Sequence, residues 1–239
     1  MLIGLIADIH ANLHALDPVL ERLEDCDRVI CLGDIVGYGA HPDECVKGIQ
    51  SRNIPCVMGN HDAACIGILS LGWFNPHAAN AIRWTLENIS GESSSFLRNL
   101  PRSLNEDPCF IVHGSPREPT TEYLTNRFQA MDGFRSCDNP VILAGHTHVP
   151  LVFMERDGIE EIRPIDGDWV SYRRRRLIFN PGSVGQPRDG DPRASFSILD
   201  TDSQKIGLFR QEYDVETARK DIIEAGLPDR LGDRLLVGR

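Results

Sequence analysis

Five short segments concentrate the side chains that could do chemistry: Asp8-Ile9-His10, Gly33-Asp34, Gly59-Asn60-His61-Asp62, His113-Gly114 and Gly145-His146-Thr147-His148. They offer carboxylate and amide oxygens and imidazole nitrogens, with no cysteine. That donor set suits borderline divalent cations such as Mn²⁺, Fe²⁺, Zn²⁺, Co²⁺ or Ni²⁺, whereas Mg²⁺ alone would prefer more oxygen. Asp8 and His10 stand two apart, as do His146 and His148. In extended backbone, residues i and i+2 point to one side, so each pair is expected to reach one small volume. Glycines 33, 59, 114 and 145 are expected to let the chain turn sharply beside each donor. Two carboxylates, Asp8 and Asp34, cannot neutralise two divalent ions. The positive surplus would attract phosphate and stabilise an in-line transition state, and a bound water whose pKa falls from 15.7 to about 7 would supply hydroxide.

Each donor segment ends an apolar run. Residues 2–7 read as a strand, and 12–24 as a helix with apolar residues at 13, 16, 19, 20 and 23. A strand at 28–32, a helix at 43–50 opened by Pro42 and a third strand at 55–58 follow. This alternation points to parallel pairing, with the donors gathered along the carboxyl edge of the sheet. Residues 60–100 read as helical, 109–112 and 141–144 as strands, and the stretch between them as loop then helix. After Val149 the pattern becomes antiparallel: a hairpin at 151–155 and 159–164, strands at 177–180, 195–200 and 206–212, then a helix at 215–225. One domain over 1–239 is expected, with 225–239 a charged, loosely held tail.

Composition narrows the function. The chain has 239 residues, 35 acidic and 25 basic, for a net charge of −10. That balance argues against nucleic acid and anionic membranes as partners, and leaves a small phosphorylated substrate. The apolar start is short and interrupted by Asp8, so it reads as a buried strand rather than a membrane span. Seven cysteines form no C-x-x-C pair and read as reduced, half-buried thiols of a cytoplasmic protein. The basic run at 173–176 reads as a solvated sheet edge that discourages pairing.

The five segments resemble, in type and order, the metal-binding motifs of calcineurin-like metallophosphoesterases. The stretch 180–188, Asn-Pro-Gly-Ser-Val-Gly-Gln-Pro-Arg, resembles the downstream segment of their small bacterial and archaeal phosphodiesterase branch. The resemblance implies an α/β fold, a four-layer α-β-β-α sandwich of two mixed sheets flanked by helices. It implies two divalent ions, Mn²⁺ foremost: Asp8, His10 and His148 on one, Asn60, His113 and His146 on the other, with Asp34 bridging. It makes His61 the general acid that protonates the leaving alkoxide. In the Ser/Thr protein phosphatase branch the loop after the bridging aspartate supplies an Asp and an Arg. Gly37 and Tyr38 stand there instead, which argues against a protein phosphatase and leaves His61 without an assigned partner, since Asp62 is its immediate neighbour.

Arg117 and Arg188 are candidates to grip substrate phosphate by bidentate bonds. Tyr38 and Asn12 are candidates to line the pocket, while His14, His41 and His77 lie outside the donor pattern. A phosphodiesterase for small diesters is the leading expectation. A phosphomonoesterase or dinucleoside polyphosphate hydrolase on the same site is the enzymatic alternative, and a metal-binding scaffold module the non-enzymatic one.

Overall fold

A computed structural model describes residues 1–239. The strands are β1 (Leu2–Ile6), β2 (Arg28–Cys31), β3 (Ser103–Glu106), β4 (Cys109–Val112), β5 (Val141–Leu143), β6 (Leu151–Glu155), β7 (Ile159–Ile162), β8 (Trp169–Ser171), β9 (Arg176–Asn180), β10 (Ala194–Asp200) and β11 (Lys205–Gln211). The helices are α1 (Leu13–Arg22), α2 (Pro42–Ser51), α3 (Asn60–Cys65), α4 (Pro76–Asn88), α5 (Gly91–Arg98), α6 (Arg127–Ser136), α7 (Val215–Glu224) and α8 (Asp229–Asp233). Short 3₁₀ turns lie at Leu71–Trp73 and Arg234–Val237.

Two mixed sheets stack face to face. The first runs β2-β1-β10-β11-β8, with only β1 and β2 parallel; the second runs β3-β4-β5-β9-β6-β7, with β4, β5 and β9 parallel. The period-2 alternation of β1 sorts its side chains between layers. Ile3, Leu5 and Ala7 enter the core between the sheets with Ile30, Ile111, Leu143 and Phe179. Ile6 turns outward to the helix-covered face with Leu16, Val46 and Ile49. On the other side Phe134 and Ala130 of α6 cover Ile142, Phe153 and Ile178. The result is helix, sheet, sheet, helix, and the shared central core makes the two sheets one packed unit. No helix is long and apolar enough to cross a membrane.

Four expectations change. Residues 55–58 form no strand but a single bridge, Cys31 to Cys56, because the chain leaves the sheet for the Gly59 turn after two residues. The 173–176 run follows the edge strand β8 but is not itself a paired edge. Residues 173–175 lie in a turn, and Arg176 opens the interior strand β9, where it pairs with Glu155 and bonds the Phe134 and Asn139 carbonyls. The tail is not loose: Leu227, Leu231 and Leu235 are buried against Tyr38, Ala78, Ala218 and Ile222. Leu231 stands on α8, Leu227 just before it and Leu235 on the 3₁₀ turn after it, so the whole segment is pinned. The cysteines are all free, but five are wholly buried and only Cys26 and Cys137 are partly exposed.

Candidate metal centre

The donors converge where β1 and β2 of one sheet, and β4 and β5 of the other, run out side by side. The backbone that brings them there is not extended. Asp8, His10, Asp34, His146 and His148 all have positive φ, between 49° and 70°. Such conformations strain non-glycine residues and cluster at functional sites. The i, i+2 argument therefore reached the right residues for the wrong reason: Asp8 and His10 converge through left-handed turns, and His146 and His148 diverge into neighbouring halves of the cluster. Of the four glycines only Gly33 has positive φ, at 91°. Gly59 is needed for close approach, since a Cβ there would lie 2.0 Å from Asp34 Oδ1.

Two groups of donor atoms form, each within 4.8 Å: Asp8, His10, Asp34 and His148, and then Asp34, His113 and His146. Asp34 belongs to both. Asn60 Oδ1 is 3.2 Å from His113 Nε2, so it joins the second. Three imidazoles are fixed from behind: His10 Nδ1 donates to the Val36 carbonyl at 3.1 Å, His113 Nδ1 to that of Leu32 at 2.8 Å, and His148 Nδ1 to that of Gln186 at 2.7 Å. This anchoring is the usual support of a metal-ligating histidine. With the proton on Nδ1, each Nε2 turns a lone pair inward. His10 Nε2 and His148 Nε2 then face each other at 3.0 Å, two acceptors with no proton between them. Asp34 Oδ2 and His146 Nε2 are buried without a hydrogen-bond partner, the nearest nitrogens to Asp34 Oδ2 being His113 Nε2 at 3.4 Å and His10 Nε2 at 3.6 Å. Buried polar atoms left in this state are costly, and cations relieve the crowded lone pairs and Asp34 Oδ2 together. The residues thus fit divalent metal.

The electrostatics of the cation-free chain agree. Burial opposes the charge on Asp34, but His113, His61 and His10 outweigh it and hold this carboxyl well below the usual range. Burial raises Asp8, with the Asp34 charge adding to it against His113. Burial also keeps His10 and His148 neutral, and pushes His146 down to about 3. His113 is the exception, raised to about 10 because Asp34, 3.4 Å away, overcomes its desolvation. The ionised Asp34 and the neutral His10, His146 and His148 are in the forms that bind metal, whereas His113 would give up its proton to a cation.

His61 stands on the first turn of α3, outside both donor groups, and lines a cavity of about 220 Å³ with Asn60, His146, Tyr38, Arg188 and Arg234. No carboxylate holds it. Asp62 points away and accepts the backbone N–H groups of Asp34, Ile35, Val36 and Gly59. His61 Nδ1 is buried and unpartnered, close to Gly37, where a Cβ would come within 2.4 Å of it. The ring is held by packing: Tyr38 at 4.4 Å, His10 at 4.8 Å and Phe74 at 5.0 Å between centroids.

The weaker candidates divide. Arg188 and Tyr38 line the cavity, with the guanidinium 5.8 Å over the Tyr38 ring. Arg117 does not: it is half-exposed and paired with Glu122 and Asp132. Asn12 is also excluded, being the N-cap of α1 and a donor to the Gly185 carbonyl. His14 and His41 are not idle, since the Nε2 of each lies 2.7 Å from Asp221 Oδ2, clamping α7 to α1 and α2. The 180–188 stretch proves to be a belt around the donors. Asn180 bonds the Gly145 carbonyl, Ser183 bonds that of Asp8, and Gln186 supplies the anchor of His148. Two pocket residues carried no recognisable sequence signal: Tyr123, stacked on His146 at 3.8 Å, and Arg234, in the segment expected to be loose.

A two-sheet sandwich with a buried Asp/His/Asn cluster at its strand ends defines a class, the metal-dependent phosphoesterases. Residues 1–204 match the calcineurin-like phosphoesterase superfamily domain, and the chain belongs to that superfamily. It is 40% identical over 245 residues to an uncharacterized protein of Methanocaldococcus jannaschii, covering all of this chain and 98% of that one. A metallophosphoesterase from Sphaerobacter thermophilus superposes with a TM-score of 0.92 at 43% identity, covering 100% and 99% of the two chains. The Escherichia coli phosphodiesterase YfcE is 24% identical over 207 residues, 82% of this chain and 85% of that protein.

Proposed function

We propose that the chain is a phosphodiesterase for small phosphodiesters, using two divalent ions, Mn²⁺ foremost, and His61 as general acid. Asp8, His10 and His148 would hold one ion, Asn60, His113 and His146 the other, and Asp34 both. Bound there, the ions would draw charge from the phosphoryl group and bring a water pKa from 15.7 to about 7. The observation that carries the reading is that Asn60 and His146 of the second donor group share one cavity with His61 and Arg188, while Asp34 joins that group to the first.

The chain's own residues divide the remaining work. Arg188, with no carboxylate within 4.0 Å, is free to bind a phosphate oxygen and orient the ester. Burial pushes His61 down to about 4, which keeps the ring neutral until an anion reaches it. A phosphate anion in contact with the ring raises that value and loads the proton. Nε2 is the atom that carries it, because Nδ1 is closed off beneath Gly37. The leaving alkoxide takes the proton from there. Preference for diesters is supported by the likeness to YfcE, and a reducing compartment such as the cytoplasm by the seven free thiols.

The test is hydrolysis of bis-p-nitrophenyl phosphate and p-nitrophenyl phosphate by protein stripped and reloaded with each metal. The diester should react at least tenfold faster with Mn²⁺. A reversed order favours a monoesterase, and no turnover of either favours the scaffold.

A further inference from the structure

Arg234 sits on the 3₁₀ turn after α8, far in sequence from every motif, yet it lines the cavity that holds His61 and Arg188. Three hydrophobic anchors place it there: Leu227, Leu231 and Leu235 pack the C-terminal segment against Tyr38 and Ala78. Neither Arg188 nor Arg234 has a side-chain carboxylate within 4.0 Å, unlike Arg117, Arg193 and Arg210, which pair with Asp or Glu. Arg188 Nε is buried without a partner; its Nη2 donates to Gln186 Oε1 at 2.9 Å and lies 3.5 Å from the Tyr38 hydroxyl. Arg234 Nε donates to the Arg239 backbone oxygen, and its other nitrogens meet no protein acceptor. Burial and the nearby Arg188 charge bring Arg234 down to about 10, so holding these two cations together is unfavourable until an anion arrives.

Arg234 also stands at the seam with a second cavity of about 620 Å³, which shares Tyr38 and Asn75 with the first. Arg230 and Arg239 line that outer space, along with Asp233, which is engaged by Arg219 at 2.8 Å. A basic track therefore leads away from the donor cluster on a protein of net charge −10. Aromatic side chains also line the first cavity: Trp73, 71% exposed, with Phe74 and Tyr123. An exposed tryptophan on a cavity wall offers a flat stacking surface.

We propose that Arg234 forms a subsite for a second phosphate beside the one that Arg188 orients for hydrolysis, and that the diesters cleaved belong to nucleotides with at least two phosphates in tandem, the base lying against Trp73. This rests on the phosphodiesterase reading for the position of the first phosphate. It predicts discrimination by charge along the phosphate chain and by the aromatic group independently.

The experiment is calorimetric titration of the Mn²⁺-loaded protein with phosphate, pyrophosphate, AMP and ADP. Wild-type protein should bind pyrophosphate and ADP at least tenfold more tightly than phosphate and AMP, or about 1.4 kcal/mol. Arg234→Ala should bring both ratios within about twofold, and Arg234→Lys should leave them intermediate. Trp73→Ala should weaken ADP but not pyrophosphate. Should Arg234→Ala fail to fold, Arg234→Gln carries the same expectation. A wild-type preference below about threefold, or one unchanged by the Arg234 variants, overturns the proposal. Loss of pyrophosphate and ADP to the same extent in Trp73→Ala overturns its aromatic half. Binding needs no turnover, so a preference found in a protein that hydrolyses nothing would refute the phosphodiesterase reading and leave the subsite standing.

Discussion

Replacing Asp62 with asparagine should destabilise the protein and loosen its metal site, although Asp62 is a member of neither cation donor group. Its carboxylate is fully buried and accepts four backbone N–H groups: Asp34 at 2.9 Å, Ile35 at 2.9 Å, Val36 at 3.1 Å and Gly59 at 3.0 Å. These bonds tie the loop carrying Asp34 to the first turn of α3, which carries Asn60 and His61. Asparagine keeps one acceptor oxygen and turns an NH₂ toward the other two donors. Two charge-assisted bonds at roughly 1.5–3 kcal/mol each are lost. Part of this is offset because a neutral amide is cheaper to bury than a carboxylate, whose pKa burial and Asp34 push up to about 7. A net loss of about 2–3 kcal/mol follows, and in a chain of this size each kcal/mol lowers Tm by about 2–4 °C. Thermal unfolding of metal-free Asp62→Asn should therefore show Tm lower by roughly 4–12 °C. Mn²⁺ affinity should fall by about 10–100-fold, as for other lost supports of metal ligands. A variant within about 1 °C of wild type, with unchanged Mn²⁺ affinity, refutes the idea that Asp62 organises this loop.

His61→Ala should slow hydrolysis of an alkyl diester by about 10²–10⁴-fold, the usual worth of a general acid. It should largely spare bis-p-nitrophenyl phosphate, whose leaving group needs no proton, and equal losses on both would remove His61 from the role. Arg117→Ala should leave KM unchanged, because Glu122 and Asp132 already occupy its guanidinium; a raised KM would return it to the pocket. Asp221→Asn should lower Tm at pH 7 by opening the clamp to His14 and His41. Burial opposes ionisation of Asp221, but the two histidines outweigh it and hold its folded pKa below the usual carboxylate value. Its stabilisation is thus full above the unfolded pKa of about 3.9 and lost as pH falls through the folded value. The gap in Tm between variant and wild type should accordingly close below about pH 4, and a gap that persists at pH 2 contradicts this origin.

The seven donors were legible because each follows an apolar run, and their types carry the chemistry. How they converge was not, since the left-handed conformations at Asp8, His10, His146 and His148 arise from loop closure between two sheets. Local reading failed where distant chain decides. Arg117 looked free until Asp132, fifteen positions on, captured it. Asn12 looked like a pocket residue until Gly185 engaged its amide. Arg234 was invisible because its place depends on three leucines finding a groove beside Tyr38. The 55–58 run has strand composition, but the turn at Gly59 cuts it to one bridge.

Metal content together with anomalous scattering, measured on active protein purified without chelator, tests the central claim most directly. Two ions per chain are expected, one against Asp8, His10 and His148 and the other against Asn60, His113 and His146, with Asp34 touching both. One ion or none in protein that still hydrolyses a diester would contradict the account.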